Sequence, residues 1–241
     1  MKVTVTRFSE QNTSTNLDAY VDVVVNGTLA LNGLMIKNAV GQNGEPYQFV
    51  ASPSYKTKNG EYRDWVTGIS HDFSKAVVDA YKAAVESPER KASVGEYNRE
   101  TAGHWLIPHV TPYQNDAVPN RRGLATLQVK EADSEKQMFS INGIQINESK
   151  GNYFINFPTR AYTKENGETV YPAIAKSFTY KDKDGKEVDF VKNLIWHEAK
   201  EAGVITPKGL SSLEQNAKDA ADDQQNREQQ QPEYEQPGLV I

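Results

Sequence analysis

Three short stretches in the first part of the chain recur in the same order further on, and this repeat constrains the fold more than any other feature. The recurring pairs are residues 31–36 and 141–146, residues 49–53 and 154–158, and residues 55–61 and 162–168. The offsets within the pairs are 110, 105 and 107 residues, so the two copies differ only by small insertions and deletions. Solenoid repeats have periods of about 20–50 residues. We therefore interpret the repeat as two related domains in tandem.

The hydrophobic pattern predicts a similar succession of elements in each copy. Strands are predicted in the first copy at residues 2–8, 18–25, 28–37, 47–52 and 61–67. Asn26-Gly27 is predicted to form a type I′ hairpin turn, and Ser70 is expected to cap a helix over residues 71–86. Strands are predicted in the second copy at residues 124–129, 138–147, 153–157 and 169–174. An extra hairpin over residues 178–188 and a helix over residues 189–202 follow.

A sheet followed by a helix in each copy is typical of the α+β class, with mainly antiparallel strands. The predicted domains are residues 1–87 for copy one and residues 124–206 for the diverged copy two. Residues 88–123 are interpreted as a connector, in which residues 104–110 are a candidate first strand for copy two. Residues 207–241 are predicted to be a disordered, acidic, glutamine-rich tail.

The charge of the chain is concentrated in that tail. The net charge is −5, from 27 basic and 32 acidic residues. The tail holds 3 of the basic and 7 of the acidic residues, which leaves residues 1–206 with a net charge of −1. The overall charge therefore does not exclude a polyanionic partner. The chain also has no long apolar run and no signal-peptide pattern, so we expect a cytoplasmic protein without membrane contact.

Three separated motifs mark the first copy. They are Gly33-Leu34-Met35-Ile36-Lys37, Tyr47-Gln48-Phe49-Val50-Ala51-Ser52-Pro53-Ser54 and Asn59-Gly60-Glu61-Tyr62-Arg63-Asp64. Together they resemble the core of the SpoVG family, which are small bacterial regulators of sporulation and septation. The resemblance covers about residues 1–86, and over residues 124–202 it rests mostly on the internal repeat.

This resemblance implies a compact sheet with a trailing helix, no catalytic activity, and binding of DNA or RNA as a dimer. Two copies in one chain would then pair as an intrachain pseudo-dimer whose pairing does not depend on concentration. The family places two basic residues directly after Pro-Ser. Tyr55-Lys56 and Arg160-Ala161 stand there in the two copies, so each copy keeps one basic residue.

Basic and tyrosine side chains cluster in the equivalent loops of both copies. The candidate nucleic-acid-binding residues are Tyr55, Lys56, Lys58 and Arg63 in copy one and Arg160, Tyr162 and Lys164 in copy two. Lysine and arginine neutralise phosphates, and tyrosine rings stack on exposed bases. The alternative is an ordinary polar loop in which nearby carboxylates pair with the cations. The carboxylates available for this are Glu61, Asp64, Glu165 and Glu168.

No set of catalytic or metal-binding residues stands out. The chain has no cysteine, and His104 and His109 flank a proline without an evident third ligand. Residues 182–189 lack the spacing of a calcium loop. Because no phosphate-binding glycine loop or catalytic triad pattern occurs either, we predict a protein that is not an enzyme and has no cofactor or metal.

The alternative function is a protein-interaction module that kept the fold and lost nucleic-acid binding. Its support is the near-neutral charge of the predicted domains, a connector in which Trp105 is expected to be exposed, and the acidic tail. The tail ends in the apolar residues Leu239-Val240-Ile241. The alternatives for the tail are docking to a protein partner, competition with nucleic acid for the basic loops, or an inert solubilising segment. Arg121-Arg122 is interpreted as part of a solvated linker.

Overall fold

The computed structural model describes residues 1–11, 16–57, 59–99, 104–115, 117–132, 134–164 and 166–205. The predicted tail and the candidate residue Lys58 lie outside the described residues. Among the described residues every strand pairing is antiparallel, and two helices are present. The prediction of a mixed fold with mainly antiparallel sheets and few helices is therefore confirmed.

The first sheet is built on a meander of four strands that pair in chain order. These strands are β1 (Val3–Glu10), β2 (Leu17–Val25), β3 (Leu29–Val40) and β4 (Pro46–Ala51). Asn26 and Gly27 join β2 to β3 with φ angles of 52° and 66°. A type I′ turn requires positive φ at both central residues, so the turn has the conformation that the Asn-Gly pair predicts.

Three short strands lie between β4 and the first helix. They are β5 (Ser54–Lys56), β6 (Tyr62–Asp64) and β7 (Val66–Thr67). β5 and β6 form a hairpin of their own, and β7 does not pair with the first sheet. The single strand predicted at residues 61–67 is therefore divided, because Trp65 N–H donates to the Pro53 carbonyl at 3.2 Å and Val66 N–H donates to Ser52 Oγ at 2.9 Å.

Helix α1 (His71–Glu86) covers the inner face of the first sheet. Ser70 caps it by accepting a hydrogen bond from Phe73 N–H, as the sequence predicts. A stripe of apolar side chains, including Phe73 and Val77, is buried against the sheet. The chain then returns as β8 (Ala92–Val94), which pairs with β1.

The second sheet is also a meander of four strands in chain order. These strands are β9 (Leu106–Pro112), β10 (Arg121–Lys130), β11 (Gln137–Ser149) and β12 (Asn152–Asn156). β9 pairs with β10 along its whole length, within the stretch interpreted as connector. Trp105 is only 2% exposed, so the expectation of an exposed Trp105 is wrong. Its ring instead packs edge-on against Tyr97 at 5.9 Å between centroids.

Arg121 and Arg122 also differ from the prediction, because they belong to β10 rather than to a solvated linker. The Arg121 Nη2 atom donates to Gln145 Oε1 at 2.9 Å. Arg122 Nε donates to Glu148 Oε2 at 2.6 Å. Both cations are therefore engaged with β11.

The rest of the second half comprises short strands and a helix. They are β13 (Tyr162–Thr163), β14 (Thr169–Val170), β15 (Ala175–Ser177), β16 (Tyr180–Lys181), β17 (Glu187–Val188) and α2 (Phe190–Glu201). β13 pairs with β14 and β16 pairs with β17. Of the strand predicted at residues 169–174, only the first two residues are a strand. Asp189 caps α2 by accepting a hydrogen bond from Lys192 N–H.

Each sheet receives one short strand from the other half of the chain. β7 pairs with β11, placing Val66 opposite Ile141, and β15 pairs with β3, placing Ala175 opposite Leu31. The flanking contacts match as well. Asn142 N–H donates to the Trp65 carbonyl at 2.9 Å, and Asn32 N–H donates to the Ile174 carbonyl at 2.8 Å. The exchange is thus reciprocal, and one hydrophobic core spans both sheets.

The two sheets also share a β-bulge at equivalent positions. Asn32-Gly33 lies opposite the single residue Asp22, and Asn142-Gly143 lies opposite Thr126. The two glycines have φ angles of 71° and 77°. Glycine suits both bulges because it adopts this left-handed conformation without the strain that a Cβ atom would bring.

The outer edge of the second sheet is protected by two prolines of β9. The Trp105 carbonyl and the Tyr113 N–H form hydrogen bonds with β10. The backbone N–H and C=O groups of the odd-numbered residues of β9 therefore point towards β10, and those of the even-numbered residues point away from the sheet. Pro108 and Pro112 occupy two of these outward positions, where a backbone N–H would otherwise be offered to another strand. Proline is confined to such edge positions in sheets, and it discourages edge-to-edge pairing.

Candidate nucleic-acid interface

The first candidate loop is the hairpin of β5 and β6. Tyr55 lies opposite Arg63, and Lys56 lies opposite Tyr62. The Lys56 Nζ atom is 5.9 Å from the centroid of the Tyr62 ring, and Tyr62 itself is 72% exposed. The hairpin therefore presents two cations and an aromatic ring to solvent from a short, hydrogen-bonded scaffold.

The base of this hairpin is held by the second sheet. The Tyr55 ring stacks on Trp65, with centroids 4.1 Å apart and planes inclined by 25°. Trp65 in turn packs against Gly143, because a Cβ atom built on Gly143 would lie 2.5 Å from Trp65 Cζ3. The Trp65 ring, on which Tyr55 stacks, therefore packs against the bulge of the second sheet.

The cations of the first hairpin are available to a ligand. Arg63 and Glu61 approach to 3.4 Å, but both side chains are 64% exposed, and exposed pairs of this kind contribute little. Lys56 forms no ion pair within the part of the chain that the structure describes. Among the described residues, neighbouring carboxylates therefore neutralise Arg63 only weakly and do not neutralise Lys56.

The second candidate loop is the hairpin of β13 and β14. Tyr162 lies opposite Val170 and is 52% exposed. The Lys164 Nζ atom donates to Glu168 Oε2 at 2.8 Å, and this hydrogen bond lowers the pKa of the Glu168 carboxyl group. Arg160 is exposed and uses its backbone N–H to bond the Pro172 carbonyl at 3.0 Å. This loop is therefore more neutralised than the first one.

Trp65, which anchors the first hairpin to the second sheet, was not among the candidate residues predicted from the sequence. Trp65 corresponds in the exchanged strands to Ile174, since these two carbonyls accept the equivalent hydrogen bonds from Asn142 and Asn32. A large aromatic residue directly after a basic hairpin is a signal that the sequence offers. Its contact with Gly143 follows only from the tertiary structure.

Comparison with known proteins identifies the family. The profile of the SpoVG family matches residues 1–86. A septation protein SpoVG from Borreliella burgdorferi is 35% identical over 75 residues, which is 31% of this chain and 72% of the relative. One from Caldanaerobacter subterraneus is 33% identical over 95 residues, covering 38% of this chain and 99% of the relative. The chain belongs to the SpoVG family.

A third SpoVG relative extends the similarity slightly further. This protein from Oceanobacillus iheyensis is 30% identical over 103 residues, covering 43% of this chain and 98% of the relative. Each of these relatives is named as a septation protein, and none of the names is that of an enzyme. No solved structure gives a significant match to the chain.

The SpoVG match contains the whole first meander, the first candidate hairpin and α1. The four-strand meander of the second sheet, in which Gly143 packs against Trp65, lies beyond the match. Among the described residues, neither helix combines the length and the apolar character needed to cross a membrane.

Proposed function

We propose that this SpoVG-family chain is a non-catalytic regulator that binds DNA or RNA, and that its two sheets act as an intrachain pseudo-dimer. The observation that carries the proposal is the reciprocal exchange of β7 and β15 between the sheets. Through this exchange each candidate hairpin is attached to the opposite sheet. Both hairpins expose cations and a tyrosine ring, which suits a phosphate backbone with accessible bases.

A tandem duplication accounts for the shared features of the two sheets. Both have the same strand order and the same bulge with Asn-Gly, and in both the exchanged strand pairs beside that bulge. Isologous pairing of this kind is typical of homodimers. In a single chain, the second binding loop is always at a high effective concentration once the first has bound. Two individually weak loops therefore produce useful affinity.

Binding of this kind is expected to be modest and dependent on salt. The predicted domains have a net charge near zero, and Lys164 is already paired with Glu168. The exposed cations Lys56, Arg63 and Arg160 are the main contributors, and each phosphate contact makes the slope of log affinity against log salt more negative by about 0.9 for duplex DNA. The names of the relatives support a role in septation.

The test is fluorescence anisotropy with labelled DNA and RNA, single- and double-stranded, at two salt concentrations. The quadruple variant Lys56→Ala, Lys58→Ala, Arg63→Ala and Arg160→Ala is expected to bind weakly and with a smaller salt slope. A control that removes two exposed lysines of α1, away from both hairpins, is Lys75→Ala with Lys82→Ala, and it is expected to bind almost as the parent does. Absence of binding by the parent chain to every probe at low salt would contradict the proposal.

The protein-interaction alternative has lost one of its supports, because Trp105 is buried. Its remaining supports are the near-neutral charge of the predicted domains and the acidic tail. A shortened chain that ends at residue 206 therefore belongs in the same assay. Tighter binding after removal of the tail would indicate that the tail competes with nucleic acid, whereas unchanged binding would indicate an inert segment.

A further inference from the structure

Among the described residues, the first sheet has one face that no helix covers. Along β3 and β4, Ile36 and Val50 are buried on the side of α1, and the residues on either side of them point the other way. We call this second side the open face, and it consists of Tyr20, Met35, Lys37, Tyr47 and Phe49. The register joins them into one surface, with Tyr20 opposite Met35 and Lys37 opposite Phe49.

The open face presents aromatic rings to solvent. Tyr47 is 51% exposed and Tyr20 is also exposed. The Tyr47 and Phe49 rings lie on the same strand, with centroids 6.0 Å apart and planes inclined by 39°. Directly opposite Phe49, Lys37 forms no ion pair within the described ranges, so its charge is available to an anionic ligand.

A cleft continues the open face towards the first candidate hairpin. Its volume is about 450 Å³. The residues that line it include Met35, Lys37, Ala51, Ser54, Asp64 and Thr67. Ser54 and Asp64 form the base of the β5–β6 hairpin, where they lie opposite each other. Met35 and Lys37 of the open face thus line the same cleft as the base of the basic hairpin.

The second sheet lacks this arrangement. The residues that correspond in register to Tyr20, Met35, Lys37 and Tyr47 are Leu124, Gln145, Asn147 and Asn152. Asn147 is buried, and Arg121 bonds to Gln145. Only Phe154, the counterpart of Phe49, remains as an exposed ring. The aromatic surface is therefore a property of the first sheet alone.

We propose that the open face binds unpaired bases of a single-stranded nucleic acid. A solvent-facing sheet with aromatic side chains stacks bases that are splayed out of a single strand. A duplex keeps its bases stacked inside, so it cannot use such a surface. Lys37 provides a positive charge for the phosphate groups, and an apolar protein partner would not require such a charge. This inference rests on the proposed function and adds to it a preference for single strands and a second surface.

The test uses the full chain and two fluorescein-labelled probes, a 12-nucleotide oligothymidylate and a 12-base-pair duplex, in anisotropy titrations at low salt. The variant Tyr20→Leu with Tyr47→Asn gives the first sheet the residues of the second. We expect its affinity for oligothymidylate to fall by about tenfold or more, since base–aromatic stacking makes a sizeable contribution per ring. Its affinity for the duplex is expected to stay within about twofold.

The control variant is Phe154→Ala, which removes the exposed ring of the second sheet and is expected to leave both affinities unchanged. Melting curves of all variants, compared with the parent chain, establish that they are folded. Sedimentation velocity of the parent and the Tyr20→Leu, Tyr47→Asn variant establishes whether this face pairs two copies of the chain.

The outcomes separate the two proposals. Binding of the parent chain to the duplex but not to oligothymidylate would overturn this inference and leave the proposed function intact. Binding to neither probe would overturn this inference, and it would overturn the proposed function as well if the RNA probes also failed to bind. Unchanged affinity of the double variant for oligothymidylate would also overturn the inference. A parent dimer that becomes monomeric in that variant, without a change in nucleic-acid affinity, would assign the open face to self-association instead.

Discussion

Substitution of the two bulge glycines tests whether Trp65, at the base of the first hairpin, packs against the second sheet. Gly33 and Gly143 occupy equivalent positions with nearly the same positive φ. Alanine is strained there by roughly 1–2 kcal/mol in either case. Around Gly33 a new Cβ atom meets nothing within 4 Å, whereas at Gly143 it would lie 2.5 Å from Trp65 Cζ3 and 3.1 Å from Cε3. Gly33→Ala is therefore a matched control for Gly143→Ala.

The expected difference follows from the cost of overpacking. Forcing extra atoms into a packed site destabilises a protein by about 1–3 kcal/mol. Gly33→Ala is thus expected to lower the free energy of unfolding by roughly 1–2 kcal/mol, and Gly143→Ala by roughly 2–5 kcal/mol. Urea denaturation followed by circular dichroism measures both values.

A double-mutant cycle with Trp65→Leu identifies the origin of the difference. Leucine is smaller and flexible, so the added methyl group of Gly143→Ala no longer meets a rigid ring. In that background we expect Gly143→Ala to destabilise the chain as little as Gly33→Ala does. Equal effects of the two glycine substitutions in the parent chain would refute the packing of Trp65 on the second sheet.

Three further predictions concern stability and association. Ser70→Ala removes the cap of α1 and is expected to lower the free energy of unfolding by about 1 kcal/mol, measured by urea denaturation. The ion pair with Lys136 lowers the pKa of the Asp72 carboxyl group. The stabilising effect of this pair is therefore present above about pH 4 and is lost as the pH falls through the lowered pKa. In Lys136→Gln, the free energy of unfolding is expected to decrease less between neutral and acid pH than in the parent chain. Replacing Pro108 and Pro112 by valine restores two outward N–H groups on β9 and is expected to produce self-association, measured by sedimentation velocity.

The first two of these predictions have controls, and the last two have an outcome that would contradict them. Ser70→Asp keeps a capping oxygen and is expected to retain most of the stability. At pH 7 and high salt, Lys136→Gln is expected to differ little from the parent, because exposed pairs are screened. If the proline variant stayed monomeric at the highest concentration tested, the outward direction of these N–H groups would be wrong. A pH dependence of Lys136→Gln identical to that of the parent would likewise contradict the assigned pair.

Local structure was predictable from the sequence because it depends on neighbouring residues. Helix α1 begins and ends where its apolar period and the Ser70 cap indicate, and the Asn26-Gly27 turn has the expected left-handed residues. The candidate hairpins could also be located, since a basic loop between two turn signals is visible in each half of the sequence. The boundaries assigned to the two domains remain predictions.

Errors arose where a residue's environment is set by a distant segment. Trp105 looked exposed in a polar connector, yet it is buried because the following strand joins the second sheet. Arg121 lies in a charged stretch of the sequence, but β10 places it beside Gln145 of the neighbouring strand. In both cases the adjacent residues carried no information about the strand that supplies the contact.

The amino-acid sequence by itself determined the family resemblance, the repeated order of strands and the basic loops, because periodicity, turn residues and motifs are local properties of a chain. Only the tertiary structure decided that β7 and β15 are exchanged between the sheets, that Trp65 packs against Gly143, and that the open face of the first sheet is left uncovered. These exchanged pairings join residues that are more than 70 positions apart. Short strands of two or three residues carry too little periodic pattern to reveal their partners, so the partner is selected by the edge that each sheet leaves open.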